Sequence, residues 1–159
     1  MSSAHKHLDQ LRPEGLEPVE GKTIGLVVAE WNEEITFAMR DAAVVFLKDH
    51  GVSASEIKLM HVPGSFELVF GATQLLETGV DGVIVIGCVI QGETPHFTFI
   101  SQAVASGIAD LNIRYARPVI FGVLTTLNQE QAKERSGGRH GNKGTEAAAT
   151  LIKVFNACK

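Results

Sequence analysis

From residue 23 onward the apolar and polar positions alternate between two rhythms. Residues 23–28 (TIGLVV) are apolar almost without a break, the mark of a short strand covered on both faces. Then Ile35, Ala38, Met39, Ala42, Ala43, Phe46 and Leu47 recur at helical spacing and form one stripe. Asn32 stands where a cap belongs, Glu33 and Glu34 fall in the positive first turn, Lys48 and His50 sit at the negative end, and Gly51 stops the helix.

The unit recurs. Residues 56–62 (EIKLMHV) predict a second strand, and residues 65–77 a second helix closed by Gly79. Residues 83–90 (VIVIGCVI) read as the most buried strand, followed by a helix from Thr94 or Pro95 to about residue 113. Residues 118–124 (PVIFGVL) are the last strand. Asn128 opens a short helix through Arg135, with Gln131 placed for a capping-box contact, and Gly137 ends it. A final helix runs from about Gly144, with Ala148, Leu151, Ile152 and Phe155 on one face. Strands alternating with helices predict an α/β fold: a single three-layer domain with a four-stranded parallel sheet, helices on both faces and right-handed crossovers. The expected strand order is the flavodoxin-like 2-1-3-4. Residues 1–18, with Pro13, Gly15 and Pro18 and no hydrophobic period, read as an N-terminal arm outside the core, and residues 19–159 as the α/β domain.

Composition narrows the function classes. The chain of 159 residues is one domain's worth, and a domain of this size buries roughly 68–70% of its unfolded surface without needing a disulfide or metal. Its 14 basic and 18 acidic residues leave a net charge of −4, which excludes a nucleic-acid binder. The longest nearly unbroken apolar run, residues 82–90, is far short of a membrane span. The polar start carries no signal peptide, so a cytoplasmic protein is expected. Two cysteines, Cys88 and Cys158, suit a reducing compartment and give no disulfide framework. No Cys/His cluster and no Gly-x-Gly-x-x-Gly fingerprint is present, so no metal and no dinucleotide is expected. The His5-Lys6-His7 triplet in the arm reads as without a role.

In open α/β sheets, ligands bind beyond the carboxyl ends of the strands. Those ends carry Trp31 and Asn32, then Pro63, Gly64, Ser65, Phe66 and Glu67, then Gln91, Gly92, Glu93, Thr94, Pro95 and His96, then Thr125, Thr126 and Asn128. Each supplies polar, aromatic or glycine residues to one edge of the sheet. Pro95 suits a first helical position with Thr94 as its cap, and free N–H groups at such a terminus attract a phosphate. His96 then lies in the first turn, with an imidazole able to take up a proton. Trp31, the only tryptophan, either stacks on a flat heterocycle or closes the edge of the core. Glu67 either accepts hydrogen bonds from a polyol or serves its helix dipole. Lys133, Arg135, Arg139 and Lys143 crowd among glycines in an acidic protein, either as an anion site or as a solvated basic turn. The spacing is not that of a Walker A loop, and the cluster follows a helix rather than a strand.

From about Lys22 to the last helix, the chain resembles the lumazine synthase family. The resemblance rests on VPGSFE (residues 62–67), GCVIQGETPHF (87–97), FGVLT (121–125), EQA-x-ER (130–135) and GNKG (141–144). It implies condensation of 5-amino-6-(D-ribitylamino)uracil with 3,4-dihydroxy-2-butanone 4-phosphate to 6,7-dimethyl-8-ribityllumazine, water and phosphate, with no metal or organic cofactor. By motif, Trp31 would stack on the pyrimidine, where many members have Phe. Ser65, Phe66 and Glu67 would hold the ribityl chain and ring. Cys88, Val89 and Ile90 would line the ring's edge. Glu93 and Thr94 would place N–H groups on the phosphate, with Arg135 as its charge partner and Lys143 close by in support. His96 would move protons, and Phe121 would reach into a neighbouring subunit's site. The family is built on pentamers, some joined into a sixty-subunit icosahedral cage. The short stretch 136–141 matches the cage-forming members, and small residues at Ala103, Ala105, Gly107 and Ala109 would let helices pack around a five-fold axis. Riboflavin synthase is a candidate partner. A flavin or phosphosugar binding module without catalysis, and a shell-forming structural protein, remain open alternatives.

Overall fold

The chain's computed structural model describes residues 15–158. Four strands, β1 (Ile24–Ala29), β2 (Ile57–Val62), β3 (Gly82–Ile90) and β4 (Val119–Thr126), pair in parallel, as the alternating pattern predicts, and in the expected flavodoxin-like order β2-β1-β3-β4. Strand alternation divides the core. On one face Ile24, Leu26 and Val28 of β1 pack with Ile35, Met39 and Leu47 of α1 (Glu33–Asp49) and with Leu151 and Ile152 of α5 (Lys143–Ala157). On the other, Val27 and Ala29 meet Leu68, Ala72 and Leu75 of α2 (Leu68–Glu77) and Val104 and Ile108 of α3 (His96–Tyr115). A short α4 (Gln129–Glu134) and a hairpin of β5 (Ser136–Gly138) and β6 (Gly141–Asn142) join β4 to α5. A single 3₁₀ turn, Ala54–Glu56, leads into β2.

Two helix starts and one cap bond depart from the sequence reading. The second helix begins at Leu68 rather than at residue 65, because residues 65–67 form a turn in which Leu68 N–H donates to Ser65 O. The third begins at His96, with Pro95 in the cap position and no side-chain cap, so Thr94 does not cap it. Asn32 occupies the cap position of α1 but its side chain makes no cap bond; its backbone is left-handed, at φ 63° and ψ 45°. Asn128 does cap α4, accepting from Gln131 N–H, while the Gln131 side chain reaches back to Leu127 N–H, one residue beyond a capping box. The β5–β6 hairpin was not expected, since its glycines and charged residues carry no apolar period.

Gly144 lets α5 cross α1. A Cβ there would lie 1.8 Å from Met39 O, so only glycine permits the approach. Gly107 meets Val69 of α2 within the same chain rather than facing outward. Residues 15–18 run along α5: Leu16 packs on the core, and the Glu17 backbone exchanges two hydrogen bonds with the Asn156 side chain. The His5-Lys6-His7 triplet and most of the expected arm lie outside the described residues. Among the described residues, no helix is long and apolar enough to cross a membrane.

Candidate active site

β3 outruns β1. The last β1–β3 pair is Val28–Ile86, while β3 continues to Ile90 alongside β4 alone. After Ala29 the chain leans toward β2: Glu30 N–H donates to Val62 O and Trp31 N–H to Pro63 O, at 2.8 and 3.0 Å. That departure opens a notch at the switch point of the sheet, where α/β folds hold ligands. Backbone polar groups of successive strand residues point to opposite neighbours. Gln91 N–H donates to Thr126 O on β4, so Ile90 turns its N–H and C=O toward the notch. The Cys88 carbonyl faces the same way and accepts from Asn32 Nδ2 at 3.0 Å.

The β2–α2 turn forms a second wall. Ser65 is buried on β3 because residue 87 is glycine; a Cβ there would lie 2.7 Å from Ser65 Oγ and 2.8 Å from Leu68 Cδ1. Phe66 stands 56% exposed beside it. Glu67 bends its carboxylate back over Gly64, where an added Cβ would be 3.1 Å from Oε2. From α3, His96 and Ile100, one turn apart on one face, complete the enclosure. The cavity is about 590 Å³ and is lined by Trp31, Asn32, residues 63–67, residues 88–90, His96 and Ile100. Trp31 is 74% exposed, a ring standing free at the rim rather than packed in the core. Burial pushes the Cys88 thiol up to about 11, so at neutral pH it is an uncharged wall and not a nucleophile.

Trp31, Ser65, Phe66, Glu67, Cys88, Val89, Ile90 and His96 thus line one cavity. Other candidates lie outside this cavity. Glu93 and Thr94 sit in the exposed loop before α3. Phe121 pairs with Val85 in the middle of β4 and rests half-buried on the α2/α3 side. Arg135 ends α4, exposed, with no side-chain hydrogen bond or ion pair among the described residues. Lys143 turns away to Glu146, Nζ to Oε2 at 3.0 Å. The strand-end reading reaches Asn32 but not Ile100, which lies four residues after His96, a helical spacing that would have found it. Among the described residues, no group of three His, Cys, Asp or Glu side chains could hold a metal.

Comparison with known proteins points one way. A family model described as 6,7-dimethyl-8-ribityllumazine synthase matches residues 21–159. Proteins named 6,7-dimethyl-8-ribityllumazine synthase are similar over nearly the whole chain. The one from Cytophaga hutchinsonii is 52% identical over 156 residues, 98% of both chains. Those from Porphyromonas gingivalis and Parabacteroides distasonis are 49% and 46% identical, covering 97% and 98% of this chain and 96% and 98% of theirs.

Proposed function

The chain belongs to the 6,7-dimethyl-8-ribityllumazine synthase family, and from that premise we propose how its residues divide the work of the reaction. The enzyme condenses 5-amino-6-(D-ribitylamino)uracil with 3,4-dihydroxy-2-butanone 4-phosphate, releasing water and phosphate. An amine attacks a ketone and an imine forms with loss of one water, phosphate leaves, and the ribityl-bearing nitrogen attacks the remaining carbonyl to close the second ring with loss of a second water. Most of this chemistry needs two partners held in register and a few protons moved.

The pyrimidine lies in the notch. Trp31 stacks on its face, and the rim position of the free indole supports this. Cys88, Val89 and Ile90 line its edge, with the Ile90 N–H and C=O as hydrogen-bonding partners. Ser65, Phe66 and Glu67 hold the ribityl chain, the carboxylate accepting from its hydroxyls. The phosphate of the second substrate sits at Glu93 and Thr94, just before α3, whose uncapped first turn leaves N–H groups for an anion. His96 stands between the two ends and carries protons during imine formation and phosphate loss. Convergence of a flat-ring platform, a polyol acceptor and this histidine on one cavity is the observation that carries the reading.

Arg135 and Phe121 act across a subunit boundary. Neither lines this chain's own cavity, and the guanidinium is unengaged at the end of α4. Lys143, paired with Glu146, supports rather than grips the phosphate. A pentamer follows, and exposed Phe70, Phe99 and Ile113 on α2 and α3 supply apolar surface for it. The six residues between Arg135 and Asn142 favour assembly of twelve such pentamers into a sixty-subunit cage in the cytoplasm, with riboflavin synthase as its partner.

The test is lumazine formation from the two substrates by the parent and by His96→Ala, alongside particle mass by light scattering. General acid–base catalysis contributes about 10²–10⁴-fold, and easy amine–ketone chemistry puts the expected loss near 10². An unchanged rate removes His96 from the mechanism. An active monomer sinks the shared site.

A further inference from the structure

The notch needs something to hold its two sides in register, and the sequence pattern offers no side chain for that task beyond a helix cap. The structure shows a different use of the capping position. Asn32 adopts φ 63° and ψ 45°, the centre of the left-handed region, which Asn, Asp and Gly enter far more readily than other residues. That turn brings the chain back from β2, where Trp31 N–H is bound to Pro63 O, toward β3. The Asn32 amide then donates to Cys88 O at 3.0 Å, the carbonyl left without a β1 partner once the ladder ends at Ile86. One residue thus joins the segment carrying the indole to the strand carrying the ring edge. It also occupies Cys88 O and leaves the Ile90 polar pair open beside it.

We propose that Asn32 is a positioning residue for the pyrimidine, fixing the Trp31 platform against the Cys88, Val89 and Ile90 edge through its left-handed backbone and its amide bond to Cys88. This rests on the reading of Trp31 as the stacking platform. The amide cross-link sets the gap between platform and edge, so its loss weakens pyrimidine binding and leaves the phosphate end alone.

Two variants separate amide from backbone. Asn32→Gly keeps the left-handed turn and removes the donor. Asn32→Asp keeps the turn and sets a carboxylate against a carbonyl, two acceptors facing each other. A net hydrogen bond corresponds to roughly three- to tenfold in an equilibrium constant. Asn32→Gly should therefore bind 5-amino-6-(D-ribitylamino)uracil about three- to tenfold more weakly, and Asn32→Asp at least as weakly. The KM for the butanone phosphate should stay at the parent's value. Trp31 is the only tryptophan, so its fluorescence anisotropy reports the platform directly and should fall in both variants, at unchanged particle size. A parent-like Asn32→Gly beside an impaired Asn32→Ala overturns the cross-link, since only the backbone would then matter. Equal loss for both substrates with unchanged anisotropy also overturns it. Trp31→Ala separates the two readings: unchanged pyrimidine binding in that variant overturns the platform and this role together. Loss in Trp31→Ala without loss in Asn32→Gly overturns the Asn32 role alone.

Discussion

Replacing Gly87 by alanine should damage catalysis more than it damages the fold. The added methyl would stand 2.7 Å from Ser65 Oγ and 2.8 Å from Leu68 Cδ1. Ordinary carbon contacts begin near 3.5 Å, so each neighbour must retreat by roughly 0.7 Å. Leu68 is fully buried in a close-packed cluster and has little room. Ser65 is the first residue of a turn, so the strain passes to Phe66 and Glu67. Overpacking of this kind costs about 1–3 kcal/mol, and the low end applies because both obstacles are side-chain ends. Alanine in a strand returns roughly 0.5–1 kcal/mol relative to glycine. The net is at most about 0.5 kcal/mol, or a fall of no more than about 2 °C in Tm for a chain of this size.

Catalysis reads the same displacement on a steeper scale, because a misplacement of about 1 Å in a positioned reactant can cost about 10²-fold. A shift of somewhat less than that in the ribityl-holding turn predicts a loss of about tenfold in kcat/KM for the pyrimidine, with the butanone phosphate little affected. Steady-state lumazine formation with each substrate varied in turn, together with a thermal melt, measures both quantities. A parent-like kcat/KM would refute the reasoning, as would a loss borne by the phosphosugar alone.

Three further outcomes follow from single contacts. Gly144→Ala meets the Met39 backbone, which cannot rotate aside, so the loss should reach about 3 kcal/mol or more and appear as low soluble yield or a lowered melt; a native-like melt would mean that α1 and α5 slide apart freely. Arg135→Ala should raise the KM for the butanone phosphate roughly tenfold to a hundredfold, since hydrogen bonds to charged groups contribute about 1.5–3 kcal/mol; a change confined to the pyrimidine would show the roles misassigned. Burial pushes the Asp81 carboxyl up, but the Lys22 ammonium and the Thr23 N–H together outweigh it and hold it below the usual range. A carboxyl lowered by folding contributes stability above its unfolded pKa, and that contribution is lost as pH falls through the folded value. The stability gap between parent and Asp81→Asn should therefore be widest near neutral pH and close below about pH 4; a gap that widens in acid contradicts the assignment.

The strands were legible because doubly covered strands are written as unbroken apolar runs, and β1 and β3 are such runs; their order is not written in that pattern, and the flavodoxin-like choice agrees with the observed β2-β1-β3-β4. The edge strand β2 was legible for another reason: its mixed pattern still carries Ile57, Leu59 and Met60 between turn residues. Helix starts were less legible, because a polar residue ahead of an apolar stripe has more than one use. Asn32, Ser65 and Thr94 each satisfy the sequence rule for a cap, yet the first bonds a strand carbonyl, the second folds onto β3 through the space left by Gly87, and the third lies in an exposed loop. In each case a contact distant in sequence takes the side chain away from its local task.

The same distinction sorts the candidate site. Residues at the carboxyl ends of β1, β2 and β3 could be placed from sequence, because a parallel sheet delivers all such ends to one edge whatever the loops do. Phe121 and Arg135 could not be placed that way. Phe121 lies mid-strand and is covered on only part of its ring, and Arg135 ends a short helix with its charge unengaged. Burial or pairing left unfinished within one chain is a surface feature, and periodicity along a chain records only what that chain buries in itself. If both residues complete a neighbour's cavity, their apolar and cationic surfaces are satisfied only in the assembly. Substituting either should then lower activity in proportion to shared sites: at low phosphosugar concentration, where both variants are strongly impaired, mixing Arg135→Ala chains with His96→Ala chains should raise activity above either alone, because a fraction of sites would pair an intact histidine with an intact arginine from the adjoining subunit. Activity no greater than the sum of the two separate preparations, after verified subunit exchange, would place both residues in the same chain's site.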